Sequence, residues 1–236
     1  MLPWRMPLTD GMLAEAELLS EVVNKNLKAR RAGKNYTELE KPKRYDIGYL
    51  GEGRLVEALK QRGFAVEYKI RPTGYTENNK IIVHLKNKDV AILCKTRGQP
   101  SDSKCLLSYN QQQKIVERGT HIDYVGAARL NRLEHYVEIM GFAPFSDTFD
   151  WKIEVYTTEC RTCLFSDIPI RPDAFVFTLR RIELGKSPEL TEEEFIQTLA
   201  PEDQKVIAET KKDYPGWMVV PEPNAKLTGY AWVRID

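Results

Sequence analysis

The first part of the chain has two stretches of helical periodicity separated by a polar segment. Between a Thr9 or Asp10 cap and Gly33, apolar side chains recur every three to four residues, which predicts an amphipathic helix. Residues 34–44 are polar and predict a loop. Helical spacing returns over residues 45–61, and a glycine follows it. The second helix is therefore expected to end directly before a strand.

Strand-forming residues dominate the next eighty positions. Strands are predicted at residues 64–70, 80–86, 89–96, 121–130 and 135–142, with a helix at 109–118 between the third and the fourth. Asn87-Lys88 separates the second strand from the third and predicts a β-hairpin. The order helix, three strands, helix, two strands is an α/β pattern.

Beyond Pro144 the pattern changes to mixed strands and helices. Residues 151–158 and 174–182 are interpreted as strands, and a capping box at Thr191 predicts a helix. We divide the chain into an N-terminal helix and basic arm (1–43), an α/β core (44–143) and an α+β C-terminal extension packed on the core (144–236).

Composition indicates an ordinary globular protein. Of the 236 residues, 42% are hydrophobic and 29% charged, and no apolar run reaches the roughly 18 residues that a bilayer span needs. The start has no signal-peptide pattern. We expect a soluble, cytoplasmic protein without membrane contact.

Net charge alone does not indicate a nucleic-acid-binding protein, because it is only +1. However, residues 25–44 hold eight Lys and Arg residues, Arg30 and Arg31 among them. Such an arm supplies the cations that dominate phosphate binding. A solvated helix face and loop explains the same residues equally well.

One segment of the α/β core resembles a known nuclease superfamily. Residues 45–52, Tyr-Asp-Ile-Gly-Tyr-Leu-Gly-Glu, resemble the start of the first core helix in PD-(D/E)xK, or restriction-endonuclease-like, nucleases. Residues 82–86 and 91–96 stand where that family has an Asp on one strand and Glu-x-Lys-Thr on the next. Residues 121–126 and 137–142 look like its later strand pair. The resemblance covers about one hundred residues and implies a mixed central sheet flanked by helices.

The resemblance implies metal-dependent phosphodiester hydrolysis. Carboxylates hold Mg²⁺, which activates water, while a lysine orients the water or offsets developing charge. Carried over residue by residue, the motif gives Glu52 for the helix acid, His84 for the first-strand Asp, Leu93 for the second-strand Glu and Lys95 for the lysine. Leu93 cannot bind a cation, and His84 suits Mg²⁺ poorly, although imidazole serves a softer metal or a base role. The resemblance therefore leaves open whether the chain cleaves DNA.

The geometric expectation is that the turn after Lys86 folds His84 against Lys95, beside the helix of Glu52. Because side chains alternate along a strand, Leu93 and Lys95 share one face and Cys94 points away into the core.

Other acids near the motif are alternatives. Asp89 shares the face of Lys95 but lies roughly 13 Å from Leu93 along the strand. Glu67 and Glu77 reach the pocket only in another register, and a shift that starts the first strand at Asn78 or Asn79 puts an amide at the acid position.

Further phosphate contacts are expected around this site. Residues 111–114 stand on the helix where related nucleases place a Gln or Lys facing the scissile phosphate, and Lys114 is the expected contact. The loop residues Lys69, Arg71 and Arg97 are expected to follow the phosphate backbone.

The four cysteines suggest a second kind of site. Cys160 and Cys163 have the two-residue gap of a zinc knuckle, which Cys94 and Cys105 would complete if the core folds back on the extension. Reduced cysteines packed as small hydrophobic side chains are the competing interpretation.

The leading hypothesis is a DNA-processing protein resembling a magnesium-dependent endonuclease, either active with an unusual site or retaining only binding. A homodimer is expected by analogy with restriction-like enzymes, whose DNA targets are two-fold symmetric. The alternative is a non-catalytic nucleic-acid-binding or assembly factor, such as a viral or mobile-element accessory protein. A zinc-stapled adaptor is the third.

Overall fold

The computed structural model describes residues 3–31, 45–68, 80–99, 101–156, 158–221 and 230–234, with the side chains of 26–31 left out. The described strands are β1 (Trp4–Pro7), β2 (Ala65–Tyr68), β3 (Ile81–His84), β4 (Asp89–Arg97), β5 (Lys104–Ser108), β6 (Tyr124–Asn131), β7 (Tyr136–Pro144), β8 (Lys152–Val155), β9 (Glu159–Leu164), β10 (Trp217–Pro221) and β11 (Tyr230–Arg234). The described helices are α1 (Asp10–Arg31), α2 (Asp46–Gln61), α3 (Tyr109–Glu117), α4 (Pro172–Glu183), α5 (Glu192–Gln197) and α6 (Pro201–Asp213). None of these helices is long and apolar enough to cross a bilayer.

A six-stranded mixed sheet is the centre of the fold. Its strand order is β1-β7-β6-β4-β3-β2, with β4 parallel to β6 and the other neighbours antiparallel. One apolar cluster joins this sheet to α1, α2 and α4, and a second joins it to α3 and the strand β5. This is the mixed central sheet flanked by helices that the resemblance implies, so the predicted α/β fold class is confirmed.

Strands from outside the predicted core take part in both larger sheets. β1, in the predicted N-terminal part, pairs with β7, and β5 pairs with β9 of the extension in a three-stranded sheet of order β5-β9-β8. The sequence pattern missed β1 and β5, because four or five residues are too few to show a period. The three-part division of the chain stays a prediction.

The predicted strand at residues 174–182 is wrong, because this segment lies within helix α4. Its buried residues follow helical spacing: Pro172, Ala174, Phe175, Thr178, Leu179 and Ile182. Pro172 lies in the first turn, where its missing N–H costs no hydrogen bond. The capping box predicted at Thr191 is confirmed, since its hydroxyl accepts from the Glu194 N–H and the Glu194 side chain accepts from the Thr191 N–H.

Gly51 lets helix α2 lie directly against strand β4. A Cβ atom at this position would lie 2.7 Å from Cβ and 2.8 Å from Cγ2 of Thr96. Real carbon atoms do not approach so closely, and only glycine fits without a shift of the helix. The contact joins the residue before Glu52 on the helix to the residue after Lys95 on the strand.

A candidate phosphate pocket around Glu52 and Lys95

Two oppositely charged residues of the predicted motif lie on α2 and β4, which pack against each other. Glu52 is buried, with 8% of its surface exposed, and Lys95 is partly buried. Burial lowers the pKa of Lys95, and the nearby Glu52 carboxylate opposes that shift. Lys95 points away from α2, since its strand neighbours Cys94 and Thr96 face that helix, so the effect on its pKa is what links it to Glu52.

Each charged group has a polar partner from a different element. The Tyr68 hydroxyl of β2 donates a hydrogen bond to Glu52 Oε2, and the Lys95 ammonium donates one to Gln111 Oε1 of α3. Burial and the Glu52 charge raise the pKa of Tyr68, so its hydroxyl stays a donor. These four residues, Glu52, Tyr68, Lys95 and Gln111, are called the Lys95 pocket below.

The pocket has hydrogen-bond donors left over. Gln111 Nε2 is buried and has no hydrogen-bond partner, although Oε1 of the same carboxamide accepts from Lys95. An ammonium group carries three N–H donors, and Gln111 takes one of those of Lys95. A buried unsatisfied donor is costly, and an anionic oxygen placed between the two groups would satisfy both.

His84 does not lie in this pocket, and the prediction that it faces Lys95 is wrong. In the β3–β4 hairpin His84 pairs with Asp89, six residues and about 20 Å of strand away from Lys95. Its Nδ1 lies 2.9 Å from Asp89 Oδ1 and its Nε2 lies 3.6 Å from Glu67 Oε2. Two of the three alternative acids, Asp89 and Glu67, therefore lie beside His84 at the end of the hairpin away from Lys95.

The two acid positions of the motif hold other residues. Leu93 is 3% exposed and packs in the apolar cluster with Cys105, Val125 and Ala127. Continuing the register from the Ile81–Ile92 pair by one residue sets Lys80 across from Leu93. The alternatives at Glu77, Asn78 and Asn79 lie outside the described residues.

The described donors do not fit the Mg²⁺ site that the resemblance implies. Glu52 is the carboxylate of the Lys95 pocket, and Tyr68 already donates to it. In the ranges that the structure describes, no three His, Cys, Asp or Glu side chains come together as metal ligands. Mg²⁺ is usually held by one or two carboxylates with waters and substrate phosphates, and here the position of the second carboxylate holds the buried Leu93.

The predicted zinc knuckle is also wrong. Cys160 and Cys163 lie within strand β9 rather than in a turn, so their side chains point to opposite faces of the strand. Cys94 is 5% exposed and packs in the cluster under α2, as its alternation with Lys95 predicts. All four cysteines are unpaired thiols. Burial raises the pKa of Cys105 to about 12, which disfavours the thiolate that binds zinc.

Gln111, rather than Lys114, is the residue of α3 that reaches the site. Lys114 is exposed on the outer side of α3, whereas Ile115, one helical turn after Gln111, is buried. The position of Ile115 is the sequence signal that identifies the inward face of this helix. Sequence reasoning also missed Tyr68, because no spacing rule links it to Glu52.

The other predicted phosphate contacts are only partly described. Arg97 is half-buried and donates to Asp102 Oδ1 at 2.9 Å, which occupies part of its guanidinium. Lys69 and Arg71 lie outside the described residues, as do the side chains of Arg30 and Arg31. Their contacts with nucleic acid stay predictions.

Tyr68→Phe is expected to lower the free energy of unfolding by about 2 kcal/mol, because it removes a charge-assisted hydrogen bond from the buried Glu52 carboxylate. Tyr156→Phe is the matched control, since its hydroxyl donates to Glu154 on the exposed surface, and we expect no change in stability. Urea unfolding followed by circular dichroism measures both. Equal effects in the two variants would show that the Tyr68 hydroxyl does not stabilise Glu52.

Comparisons with known proteins give little similarity. No protein-family model matches the chain, and no curated protein sequence matches it. Among solved structures, the chain is similar to the 1.6 Å structure of Hjc, a Holliday junction resolvase from the archaeal hyperthermophile Archaeoglobus fulgidus. The identity is 21%, the match covers 50% of this chain and 84% of the resolvase chain, and the TM-score is 0.31. The functional proposal therefore depends on the geometry of the Lys95 pocket.

Proposed function

We propose that the chain is a DNA-processing protein that holds a backbone phosphate of DNA in the Lys95 pocket, on a nuclease-like scaffold with impaired hydrolysis. The observation that carries this proposal is the pairing of the Lys95 ammonium with the unsatisfied amide of Gln111. Both groups are donors, they come from different elements, and one phosphate oxygen satisfies both.

Glu52 partly offsets the effect of burial on the charge of Lys95. Burial alone would favour a neutral lysine, and the neighbouring carboxylate counteracts this effect on the pKa of Lys95. Tyr68 in turn holds the carboxylate by its hydrogen bond, on the side of β2. Lys95 is thus the proposed phosphate ligand. Glu52 is the residue that favours the protonated form of Lys95.

Hydrolysis is expected to be impaired because Leu93 occupies the position of the second metal-binding acid. Its side chain is buried among apolar neighbours and supplies no oxygen ligand. This observation favours the second candidate function, a non-catalytic nucleic-acid-binding or assembly factor on the same scaffold. A nucleic-acid-binding factor would still hold DNA, whereas an assembly factor need not, and the described pocket offers Mg²⁺ a single carboxylate.

Cleavage and retention assays separate these functions. Purified protein is incubated with supercoiled and single-stranded DNA in Mg²⁺ or Mn²⁺, and DNA retention is measured in parallel at low salt. We expect salt-dependent retention with little or no cutting. DNA cleavage that is lost in Lys95→Ala would show an active nuclease, and would overturn the proposal that hydrolysis is impaired. No retention at low salt would favour the assembly factor and overturn the phosphate pocket.

The pH dependence of binding is a further expected result. The protonated form of Lys95 binds phosphate, and burial lowers its pKa below that of exposed lysines, which titrate near 10.4. As the pH rises from 7, Lys95 should lose its proton before the exposed lysines do. The wild type should therefore bind DNA no more tightly than Lys95→Met at a pH where the exposed lysines are still protonated. Fluorescence anisotropy measures both affinities. A difference that persists until the exposed lysines titrate would contradict the lowered pKa.

A further inference from the structure

The outer strand of the small sheet carries apolar residues on an unpaired edge. β8 is the last strand in the order β5-β9-β8, so within the described ranges only one of its edges has a neighbour. Ile153 is 47% exposed and Val155 is 77% exposed. Proteins normally protect such an edge with charges, prolines or a covering element, because it offers unpaired backbone groups to another strand. An exposed apolar edge strand is therefore a candidate for pairing with a second chain.

The sequence of β8, Lys-Ile-Glu-Val, is complementary to itself. Lys152 and Glu154 share one face of the strand, and Ile153 and Val155 share the other. We propose that β8 pairs with β8 of a second copy of this chain, antiparallel, about a two-fold axis through Ile153. The two copies then form a homodimer whose small sheets join edge to edge.

Charge selects this register over its neighbours. With the axis at Ile153, Lys152 of each copy lies across from Glu154 of the other, and the two Ile153 side chains meet on the apolar face. An axis at Glu154 would set the two carboxylates directly opposite each other, which is unfavourable. An axis between Ile153 and Glu154 would set an apolar side chain across from a charged one.

Lys152 is the exposed charge of β8, whereas Glu154 already accepts from Lys104 and Tyr156 of its own chain and takes Lys152 of the second copy as an additional donor. Lys152 is 77% exposed and lies 3.5 Å from Glu154 Oε1 of its own strand. Glu154 is held at 2.7 Å by Lys104, which fixes the carboxylate on the face that the second copy approaches. Because a strand of four residues gives a small interface, the dimer is expected to be weak and dependent on protein concentration.

Single cysteines test the register. At the two-fold axis, residue 153 of one copy lies opposite residue 153 of the other, about 5 Å between Cα atoms, which suits a disulfide. Residue 155 lies about 13 Å from its counterpart. Ile153→Cys treated with oxidised glutathione should form a covalent dimer, and Val155→Cys should not. The wild type measures any background from its own thiols, and circular dichroism checks that both variants fold.

The oligomeric state tests the interface without a new thiol. Sedimentation equilibrium of the wild type should give a mass that rises with concentration from 27.2 kDa towards twice that value. Lys152→Glu sets like charges opposite each other and should leave only the monomer, whereas Lys186→Glu, an exposed lysine outside this sheet, should not change the dimer. A wild type that stays monomeric at several hundred micromolar would overturn the proposal. A Lys152→Glu variant that still dimerises would also overturn it, and so would equal cross-linking of the two cysteine variants. Each of these results would place the contact elsewhere.

Discussion

Lys95→Met is expected to weaken DNA binding about tenfold at low salt, by a similar factor for every sequence tested. The substitution keeps the length of the side chain and removes the ammonium group that is proposed to hold the phosphate. Because backbone contacts carry no sequence information, the loss should not depend on base composition. The slope of log affinity against log salt concentration should decrease by about one, since one fewer counterion is released.

Fluorescence anisotropy with labelled duplex and single-stranded oligonucleotides measures this effect over a series of salt concentrations. Lys86→Met is the matched control, because Lys86 is an exposed lysine beside the β3–β4 turn, at the end of the hairpin away from Lys95. We expect its salt slope to equal that of the wild type. An unchanged slope for Lys95→Met would mean that the Lys95 ammonium does not bind a phosphate.

Gly51→Ala is expected to lower the free energy of unfolding by about 1 to 3 kcal/mol, the usual cost of forcing extra atoms into a packed contact. The new methyl group would meet Thr96 on β4, and neither the helix backbone nor a β-branched side chain can move far. Since Gly51 and Thr96 are the chain neighbours of Glu52 and Lys95, a shift of the helix should also weaken DNA binding in the same variant.

Gly53→Ala is the control, two residues further along the same helix. A Cβ atom at Gly53 meets no atom within 4 Å, so the helix propensity of alanine should instead add up to about 1 kcal/mol. Urea titrations of the two variants and the wild type give the free energies. Two shifts of the same sign would contradict the close approach of α2 to β4.

The sequence predicted the elements that form the Lys95 pocket because each has a strong local pattern. Helical periodicity gave α2, and alternation gave β4 with Cys94 turned towards the core and Lys95 away from it. The Gly-Glu pair was assigned from a family resemblance, and the structure gives a physical reason for its glycine, since Gly51 touches Thr96. Periodicity and alternation depend on residues that are close in sequence, which is why the sequence predicts them.

The geometry of the β3–β4 hairpin itself excludes a pairing of His84 with Lys95. Antiparallel strands run away from their turn, so residues equally far from the turn lie opposite each other. A turn at Asn87-Lys88 already sets His84 near the beginning of β4, and the observed partner is Asp89. Residue type alone places His84 at the position of the motif acid, and the geometry of the hairpin excludes that position.

Tertiary contacts explain what the sequence could not provide. Tyr68 meets Glu52 because β2 and α2 pack together, and no spacing in the chain encodes that distance. Helix α4 was assigned as a strand because its aromatic and β-branched residues favour strands locally, whereas burial against β7 favours the helix.

The side-chain amide of Gln111 offers the most direct test of the phosphate pocket. In a ¹⁵N–¹H NMR spectrum of the labelled protein, a short DNA oligonucleotide should shift the Gln111 side-chain NH₂ resonances as binding saturates. Lys95→Met should greatly reduce this shift at the same DNA concentration. Binding that shifts other resonances and leaves the Gln111 amide in place would show that DNA is held elsewhere, and would contradict the proposed site.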